Sequence, residues 1–254
     1  MTKNSTLLKF SNIIAFILTI LVNSLAGSST LIGGKVTAEI SDANFTLITP
    51  AGYVFSIWGV IYILLGLFVV FQALPSQKDK DYQNRIGWLF VLSSILNIVW
   101  LFLWQFEYLI FSVPVMFMLL ASLIAIYMRL DIGKSKVDMR ERIAIHLPFS
   151  TYLGWITIAS IANVATTLVS LNWDGFGINS ETWASLIIIV ALLLSLIVIT
   201  LRKDVAYSLV IIWAFLGISA AQTAYQNIVT LTQVSAIIVL VVLIGIIIIQ
   251  KIRK

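Results

Sequence analysis

Aromatic side chains recur at helical spacing in three apolar stretches of this 254-residue chain. The first stretch reads TPAGYVFSIWGVIY from residue 49 to residue 62. Residues three or four positions apart share one face of a helix. Rings on one face could bind a flat apolar molecule, because aromatic pairs gain about 0.5–1.5 kcal/mol beyond burial. The three faces comprise Phe55, Trp58, Tyr62 and Gly66; Ser93, Asn97, Trp100 and Trp104; and Tyr152, Trp155, Ala159 and Asn163.

The same residue types also have a simple packing interpretation. Trp and Tyr concentrate at membrane interfaces, which accounts for Trp88, Trp173 and Trp183 near predicted helix ends. Asn97 and Asn163 could join neighbouring helices through hydrogen bonds worth about 0.6 kcal/mol each on average. From the residues alone, a ligand pocket and plain helix packing stay open as alternatives.

Residue types for metal binding or covalent chemistry are scarce. The chain has no cysteine, and its one histidine, His146, has no carboxylate pair beside it. We therefore predict no metal site and no catalytic residue. No Ser-His-Asp arrangement and no phosphate-binding glycine loop is visible. No charged residue lies deep in an apolar stretch, which argues against an ion-coupled transporter.

The composition indicates which elements position the aromatic faces. Hydrophobic residues make up 60% of the chain and charged residues 11%, whereas soluble domains are about one-quarter charged. A helix needs about 20 apolar residues to cross a bilayer, and such continuous runs exclude a barrel of alternating strands. We predict an all-α membrane protein, a polytopic helical bundle of eight transmembrane helices. The stretches are 11–33, 52–74, 86–106, 109–129, 145–171, 182–201, 205–225 and 231–250.

The loop charges predict the orientation in the membrane. If eight helices alternate, all of the 16 basic residues except Lys35 fall on one side, including Arg253 and Lys254 at the C-terminus. The positive-inside rule then places both termini in the cytoplasm of a multi-pass cell-membrane protein. Because the basic residues lie in short loops, we predict no nucleic-acid partner. Residues 1–30 also resemble a signal peptide, but the apolar run is long for one, so we expect that it is retained.

The aromatic motifs resemble those of the TspO/MBR family, which comprises the tryptophan-rich sensory proteins of bacteria and the mitochondrial translocator protein, a peripheral-type benzodiazepine receptor. The resemblance covers about residues 10–173. It departs from the family pattern at Ala51 and Tyr53, where the family has proline and tryptophan. The residues that carry it are Pro50, Tyr53, Phe55, Trp58 and Tyr62 in the second helix, Asn97 and Trp100 in the third, and Tyr152, Leu153, Trp155, Ala159 and Asn163 in the fifth.

The resemblance implies a five-helix bundle over residues 1–173, with a pocket among the helices that opens near the first loop. Residues 174–254 would then form a three-helix extension. Family members bind flat hydrophobic molecules such as protoporphyrin and haem, and animal members also bind cholesterol and isoquinolines. Some bacterial members are connected with porphyrin degradation. The resemblance also allows a homodimer.

These observations together predict a membrane sensor or binding protein for a planar hydrophobic ligand of the tetrapyrrole class. No cofactor is expected, although porphyrin or haem could bind as ligand; membrane lipids are the other expected partner. The main alternative is an uncoupled small-molecule permease, and a third is light-dependent breakdown of a bound pigment. The predicted ligand-binding residues are Pro50, Tyr53, Phe55, Trp58, Tyr62, Asn97, Trp100, Trp104, Tyr152, Trp155, Ala159 and Asn163.

Overall fold

The computed structural model describes residues 3–78 and 80–252, and within them all regular structure is helical. The prediction of an all-α protein is therefore confirmed. Arg253 and Lys254, which contributed to the predicted charge pattern, lie outside the described residues.

Each predicted apolar stretch corresponds to one long helix in the described part of the chain. We number these helices α1 to α8. Their bounds are Lys3–Ser28 for α1, Ile57–Ala73 for α2, Leu89–Gln105 for α3, Leu109–Arg129 for α4, Leu147–Ser170 for α5, Ser180–Arg202 for α6, Val205–Ala221 for α7 and Gln226–Ile252 for α8.

Short helical turns connect the long helices. A 3₁₀ turn leads directly into α2, and a π turn leads into α5. The 3₁₀ turn is tighter than an α-helical turn and the π turn is wider, and 3₁₀ turns are frequent at the ends of α-helices. The short elements are Thr37–Ala43, Gly52–Ser56, Pro75–Gln77, Asp81–Ile86, Met139–Glu141, Arg142–His146 and Gly175–Gly177.

Six segments among the described residues are long and apolar enough to cross a membrane, which makes the protein a multi-pass membrane protein. The helices α3 and α7 are also apolar but have 17 residues each. At 1.5 Å per residue they span about 26 Å, slightly less than a bilayer core. The six segments are Thr6–Ser28, Gly52–Ala73, Leu109–Arg129, Met139–Ser170, Ser180–Arg202 and Gln226–Ile249.

Helix α5 forms the centre of the bundle. It buries 15 of its 24 residues, against 5 of 17 in α2, and it packs against α2, α4 and α7. Helix α7 approaches it closely at Gly154, where an added Cβ would lie 3.2 Å from the carbonyl oxygen of Tyr207. Helices α6 and α7 pack against α8, but α6 does not pack along α5 in the described residues. The last three helices thus contact the rest of the bundle mainly through α7.

The loops gather at two ends of the bundle. We call the end where α1 begins and α8 ends the basic end, and there Arg202 pairs with Asp131 at 2.7 Å. We call the opposite end the acidic end, where Lys35 pairs with Glu107. The basic end carries the loops at 74–78, 80–88, 130–138 and 203–204, and the acidic end carries those at 29–51, 106–108, 171–179 and 222–225.

A buried carboxylate ties the turn between α6 and α7 to the centre of the bundle. Asp204 accepts hydrogen bonds from the hydroxyls of Tyr127 in α4 (2.8 Å) and Ser150 in α5 (2.5 Å). It also caps α7 by accepting from the backbone N–H groups of Ala206 and Tyr207. With four donors, this buried charge is well compensated. It fixes the position of α7 against α4 and α5.

The half of the bundle nearer the basic end is closed by aromatic packing. Phe68 of α2, Phe90 of α3 and Phe149 of α5 are all fully buried. Their ring centroids lie 5.0–6.1 Å apart in edge-on pairs. This cluster separates the aromatic faces nearer the acidic end from the basic end.

Candidate ligand-binding site

A cavity of about 70 Å³ lies in the half of the bundle nearer the acidic end. Eight of the twelve predicted ligand-binding residues line it. Helices α2, α3 and α5 therefore do turn aromatic side chains towards one common space. The eight residues are Pro50, Phe55, Trp58, Trp100, Trp104, Trp155, Ala159 and Asn163.

The start of α2 positions two of the rings. Phe55 lies in the 3₁₀ turn Gly52–Ser56, and Trp58 lies in the first turn of α2. Both rings meet Trp155 of α5 edge-on, with centroid distances of 6.0 and 6.1 Å. Edge-on pairs are favourable because the positive rim of one ring meets the negative face of the other. The result is an aromatic wall built from two helices.

Two tryptophans of α3 form the adjoining wall. Trp100 and Trp104 are four residues apart, and their ring centroids lie 5.6 Å apart. The indole N–H of Trp104 donates to the carbonyl oxygen of Thr37 at 3.2 Å. The indole N–H of Trp100 donates to the side-chain oxygen of Asn163 at 2.6 Å. Both rings are held in place by protein acceptors.

Asn163 serves as a connection between helices. Its oxygen accepts from Trp100 of α3, and its Nδ2 donates to the hydroxyl of Ser112 in α4 at 2.9 Å. It therefore joins α3, α4 and α5 at the cavity wall. These bonds agree with the packing interpretation, in which Asn163 joins neighbouring helices through hydrogen bonds.

Trp155 differs from Trp100 and Trp104. It is only 3% exposed, and its indole N–H has no hydrogen-bond acceptor among the described residues. A buried donor without a partner costs about 1–3 kcal/mol, and such groups are rare enough to need an explanation. Trp155 lines the cavity, so this unpartnered donor belongs to a residue of the cavity wall.

Four predicted residues do not line the cavity. Tyr53 is half exposed and packs edge-on against Trp213 of α7 at 5.3 Å. Tyr62 stacks on Trp58 at a centroid distance of 5.6 Å, and Tyr152 meets the same ring edge-on at 6.0 Å. Both tyrosines therefore pack against the ring of Trp58. Asn97 is fully buried, and its oxygen accepts from Asn23 of α1 at 2.7 Å. These four residues pack around the site.

Helices α6 and α7 contribute lining residues that the sequence did not single out. Ile187, Ile188 and Ala191 of α6, and Phe215 and Ile218 of α7, complete the cavity wall. Their sequence context is a continuous apolar run, so nothing distinguishes them from lipid-facing residues. Only the packing of the last three helices reveals them.

Helix α7 also holds the segment that frames the cavity at the acidic end. The N–H of Ala51 donates to the carbonyl oxygen of Gly217 at 3.0 Å. The indole N–H of Trp213 donates to the carbonyl oxygen of Val54 at 3.1 Å, and Gln222 donates to that of Thr49 at 3.1 Å. Trp213 and Gln222 stand out among the plain apolar residues of the last three helices, but their partners lie more than 150 positions away.

A larger cleft, of about 1100 Å³, adjoins the cavity between the acidic-end halves of α5 and α6. Ile48 and Ile187 line both spaces. The cleft exists because α6 does not pack along α5. Trp173 and Trp183 line the cleft, and their ring centroids lie 5.1 Å apart. The cleft gives the cavity a wide approach near the surface of the bundle.

Residues that could hold a metal ion are not brought together in the described part of the chain, where no group of three His, Asp or Glu side chains forms. His146 is buried near the basic end, and it does not line the cavity. The polar groups of the cavity are instead indoles, hydroxyls and one amide. This arrangement suits binding of an apolar molecule with few polar atoms.

The fold and the cavity define a multi-pass helical membrane protein with an internal aromatic site. The chain belongs to the family of TSPO-like proteins, whose sequence profile matches residues 9–248. The predicted family relationship is thus confirmed, and the match continues beyond residue 173 through most of the last three helices. No curated protein and no solved structure matches the chain.

Proposed function

We propose that the protein is a membrane sensor or binding protein that takes a planar hydrophobic ligand of the tetrapyrrole class into the aromatic cavity. The observation that carries the proposal is Trp155, a cavity-lining indole whose buried N–H lacks an acceptor. A carbonyl-type oxygen on a side group of the ring system is an acceptor of the required kind. Membership of the TSPO-like family supports the same class of ligand.

The size of the two spaces decides how such a ligand would sit. Pockets for small molecules usually measure about 300–1,000 Å³, and the cavity alone measures about 70 Å³. A tetrapyrrole therefore requires the cleft of about 1100 Å³ as well. We propose that one edge of the ring system enters between the tryptophans while the rest occupies the cleft. Movement of Ile187 would join the two spaces.

The proposed topology has eight membrane crossings, with α3 and α7 included. Helix α3 packs between α1 and α4, and α7 packs between α5 and α8. Each runs from a loop at the basic end to a loop at the acidic end. A helix shorter than the bilayer is accommodated by local thinning at modest cost. With eight crossings, the positive-inside rule favours cytoplasmic termini.

The direct test is a protoporphyrin titration of the purified protein in nanodiscs, followed by tryptophan fluorescence. We expect saturable quenching with the wild type. Trp155→Phe keeps a ring but removes the donor, so we expect about five- to tenfold weaker binding, from about 1–1.4 kcal/mol for one hydrogen bond. The matched control is Trp88→Phe, because Trp88 is half exposed at the basic end.

Two results would count against the proposal. The first is quenching by protoporphyrin that does not saturate, or that empty nanodiscs reproduce. The second is an affinity that Trp155→Phe and Trp88→Phe change equally.

The competing function is an uncoupled permease. A permease needs a path to both ends of the bundle, whereas the buried cluster of Phe68, Phe90 and Phe149 closes the half nearer the basic end. Transport would therefore require this cluster to open. Protein-dependent flux of the ligand across sealed vesicles, with binding measured in parallel, separates a carrier from a binding protein.

A further inference from the structure

The charges around the cavity and the cleft carry an inference about the form of the ligand. Among the 21 residues that line the cavity, none is charged. The cleft is lined by two carboxylates, Asp174 and Glu181, and by no basic residue. Neither space therefore offers a cation to an acidic ligand.

The rest of the acidic end also carries more negative than positive charges. Among the residues that the structure describes, this end contains five carboxylates and one basic residue, Lys35. The ammonium of Lys35 is paired with Glu107, and neither residue lines the cavity or the cleft. The remaining carboxylates are Glu39, Asp42, Asp174 and Glu181.

The two cleft carboxylates also have defined positions. The side chain of Asp174 accepts from the backbone N–H of Phe176 at 3.0 Å. A carboxylate oxygen of Glu181 accepts from the side-chain amide of Asn227 at 3.4 Å. Both carboxylates line the cleft, which shares Ile48 and Ile187 with the cavity.

We propose that the ligand reaches the cavity through the cleft between α5 and α6 in a form without negative charge, so that the site discriminates against carboxylates. This inference rests on the proposed function. A carboxylate brought into the cavity would be buried without a cation, which is strongly unfavourable. A carboxylate left in the cleft would face Asp174 and Glu181, and like charges at an interface repel.

The buried donor of Trp155 fits a neutral ligand. It offers one N–H to one acceptor, and a neutral ester, amide or ring nitrogen is satisfied by one such bond. An ionised carboxylate has about four acceptor positions, and in the cavity only neutral donors could satisfy them, because none of the lining residues is charged. The lack of charged lining residues therefore favours a neutral ligand.

The test compares protoporphyrin, whose two propionates are ionised at neutral pH, with its neutral dimethyl ester. Both are titrated into the full-length protein in phosphatidylcholine nanodiscs, with binding to empty nanodiscs subtracted. We expect the ester to bind about tenfold more tightly, from repulsion of about 1.4 kcal/mol in a partly solvated cleft. Glu181→Gln keeps an acceptor for Asn227 and removes one negative charge. It should therefore bind the acid about two- to threefold more tightly, which reduces the ratio between the affinities of ester and acid by the same factor.

The control variant is Asp138→Asn at the basic end. Asp138 is exposed and caps a short helix by accepting from the N–H of Glu141, which asparagine can also do. We expect this variant to leave both affinities unchanged. Equal affinities of acid and ester, or tighter binding of the acid, would overturn the inference while the proposed function stands. A difference that Glu181→Gln leaves unchanged would overturn the route through the cleft. If neither compound binds saturably, the proposed function itself fails.

Discussion

Trp100 and Trp155 line the same cavity, yet their indole nitrogens have different surroundings. Trp100 donates to Asn163 at 2.6 Å, and Trp155 has no acceptor among the described residues. Both tryptophans belong to the aromatic faces that the sequence identified. Helical periodicity gives the face of a side chain, but it does not give the partner of its polar atom, because that partner lies on another helix.

The first prediction compares the stabilities of Trp100→Phe and Trp155→Phe. Both remove similar ring volume, but only Trp100→Phe breaks a hydrogen bond to a buried amide. We expect Trp100→Phe to be the less stable by about 1–2 kcal/mol, or about 2–8 °C in apparent Tm for a chain of this size. Thermal unfolding in detergent measures the difference. Equal Tm values would mean that the Trp100–Asn163 bond contributes little.

The second prediction concerns the buried carboxylate of Asp204. Its four donors come from Tyr127, Ser150 and the first turn of α7. Asp204→Asn replaces one acceptor oxygen by an NH₂ group that cannot accept these bonds. We expect a loss of about 2 kcal/mol, because hydrogen bonds to charged groups are worth about 1.5–3 kcal/mol. Thermal unfolding checks this, with the exposed cap variant Asp138→Asn expected to change the Tm little.

At the scale of elements, the apolar runs predicted the positions of the long helices well. The fourth stretch, 109–129, agrees with α4 at both ends, and 182–201 lies within Ser180–Arg202. The first stretch, 11–33, was placed too late: α1 covers Lys3–Ser28, and a turn at 30–35 follows it, in which Gly33 and Gly34 adopt positive φ. Apolar composition does not detect this, since the residues around the turn are themselves apolar or small.

Helix α7 is the element whose role the sequence did not reveal. It was predicted as part of a three-helix extension, and no site was predicted on it despite its Trp213 and Gln222. In the structure, its backbone at Gly217 accepts from Ala51, and it lies against the start of α2. Contacts between segments more than 150 residues apart leave no periodic signal in either segment. The role of α7 becomes visible only when both are placed.

The third prediction tests this contact with Gly217→Ala. An added Cβ would lie 2.1 Å from Cγ2 of Val54 and 3.4 Å from Cβ of Pro50, both buried residues. The segment must therefore shift, at a cost of about 1–3 kcal/mol for overpacking. We expect weaker protoporphyrin binding and a lower Tm.

The matched control for that experiment is Gly245→Ala in α8. An added Cβ there meets nothing within 4 Å. Because alanine favours helix over glycine by about 1 kcal/mol, this variant should be neutral or more stable. If Gly217→Ala behaves like Gly245→Ala, the segment around Val54 does not depend on α7.

At the scale of the whole molecule, the fourth prediction concerns the number of crossings. The chain contains no cysteine, so single cysteines can be introduced without a background. Lys136 and Ile178 are exposed in loops at opposite ends of the bundle. With eight crossings and cytoplasmic termini, a membrane-impermeant maleimide should label Ile178→Cys in intact cells. It should label Lys136→Cys only after the membrane is opened.

Labelling of both cysteines in intact cells, or of neither, would contradict the alternating topology. A six-crossing arrangement, with α3 and α7 lying outside the bilayer core, reverses both sides: Lys136→Cys would then be labelled in intact cells, and Ile178→Cys only after the membrane is opened. The experiment therefore decides whether the 17-residue helices cross the membrane.

The fifth prediction concerns the division of the chain at residue 173. If residues 1–173 formed a complete site, this fragment would bind protoporphyrin. The cavity, however, takes Ile187 and Ile188 from α6 and Phe215 and Ile218 from α7. The fragment also loses the anchors that α7 provides to the segment before α2. We therefore expect the fragment to bind at least tenfold more weakly, since several buried contacts worth about 1 kcal/mol each are removed.

Co-expression of residues 1–173 with residues 174–254 separates loss of the site from loss of folding. The interface between the pieces is formed mainly by α5 and α7, which approach closely at Gly154. If the last three helices complete the cavity, the two pieces should assemble in the membrane and restore saturable quenching. Gly154→Leu, which would collide with Tyr207 and Val210, should abolish that rescue. Full binding by residues 1–173 alone would mean that α6 and α7 merely cover a site that the first five helices already form.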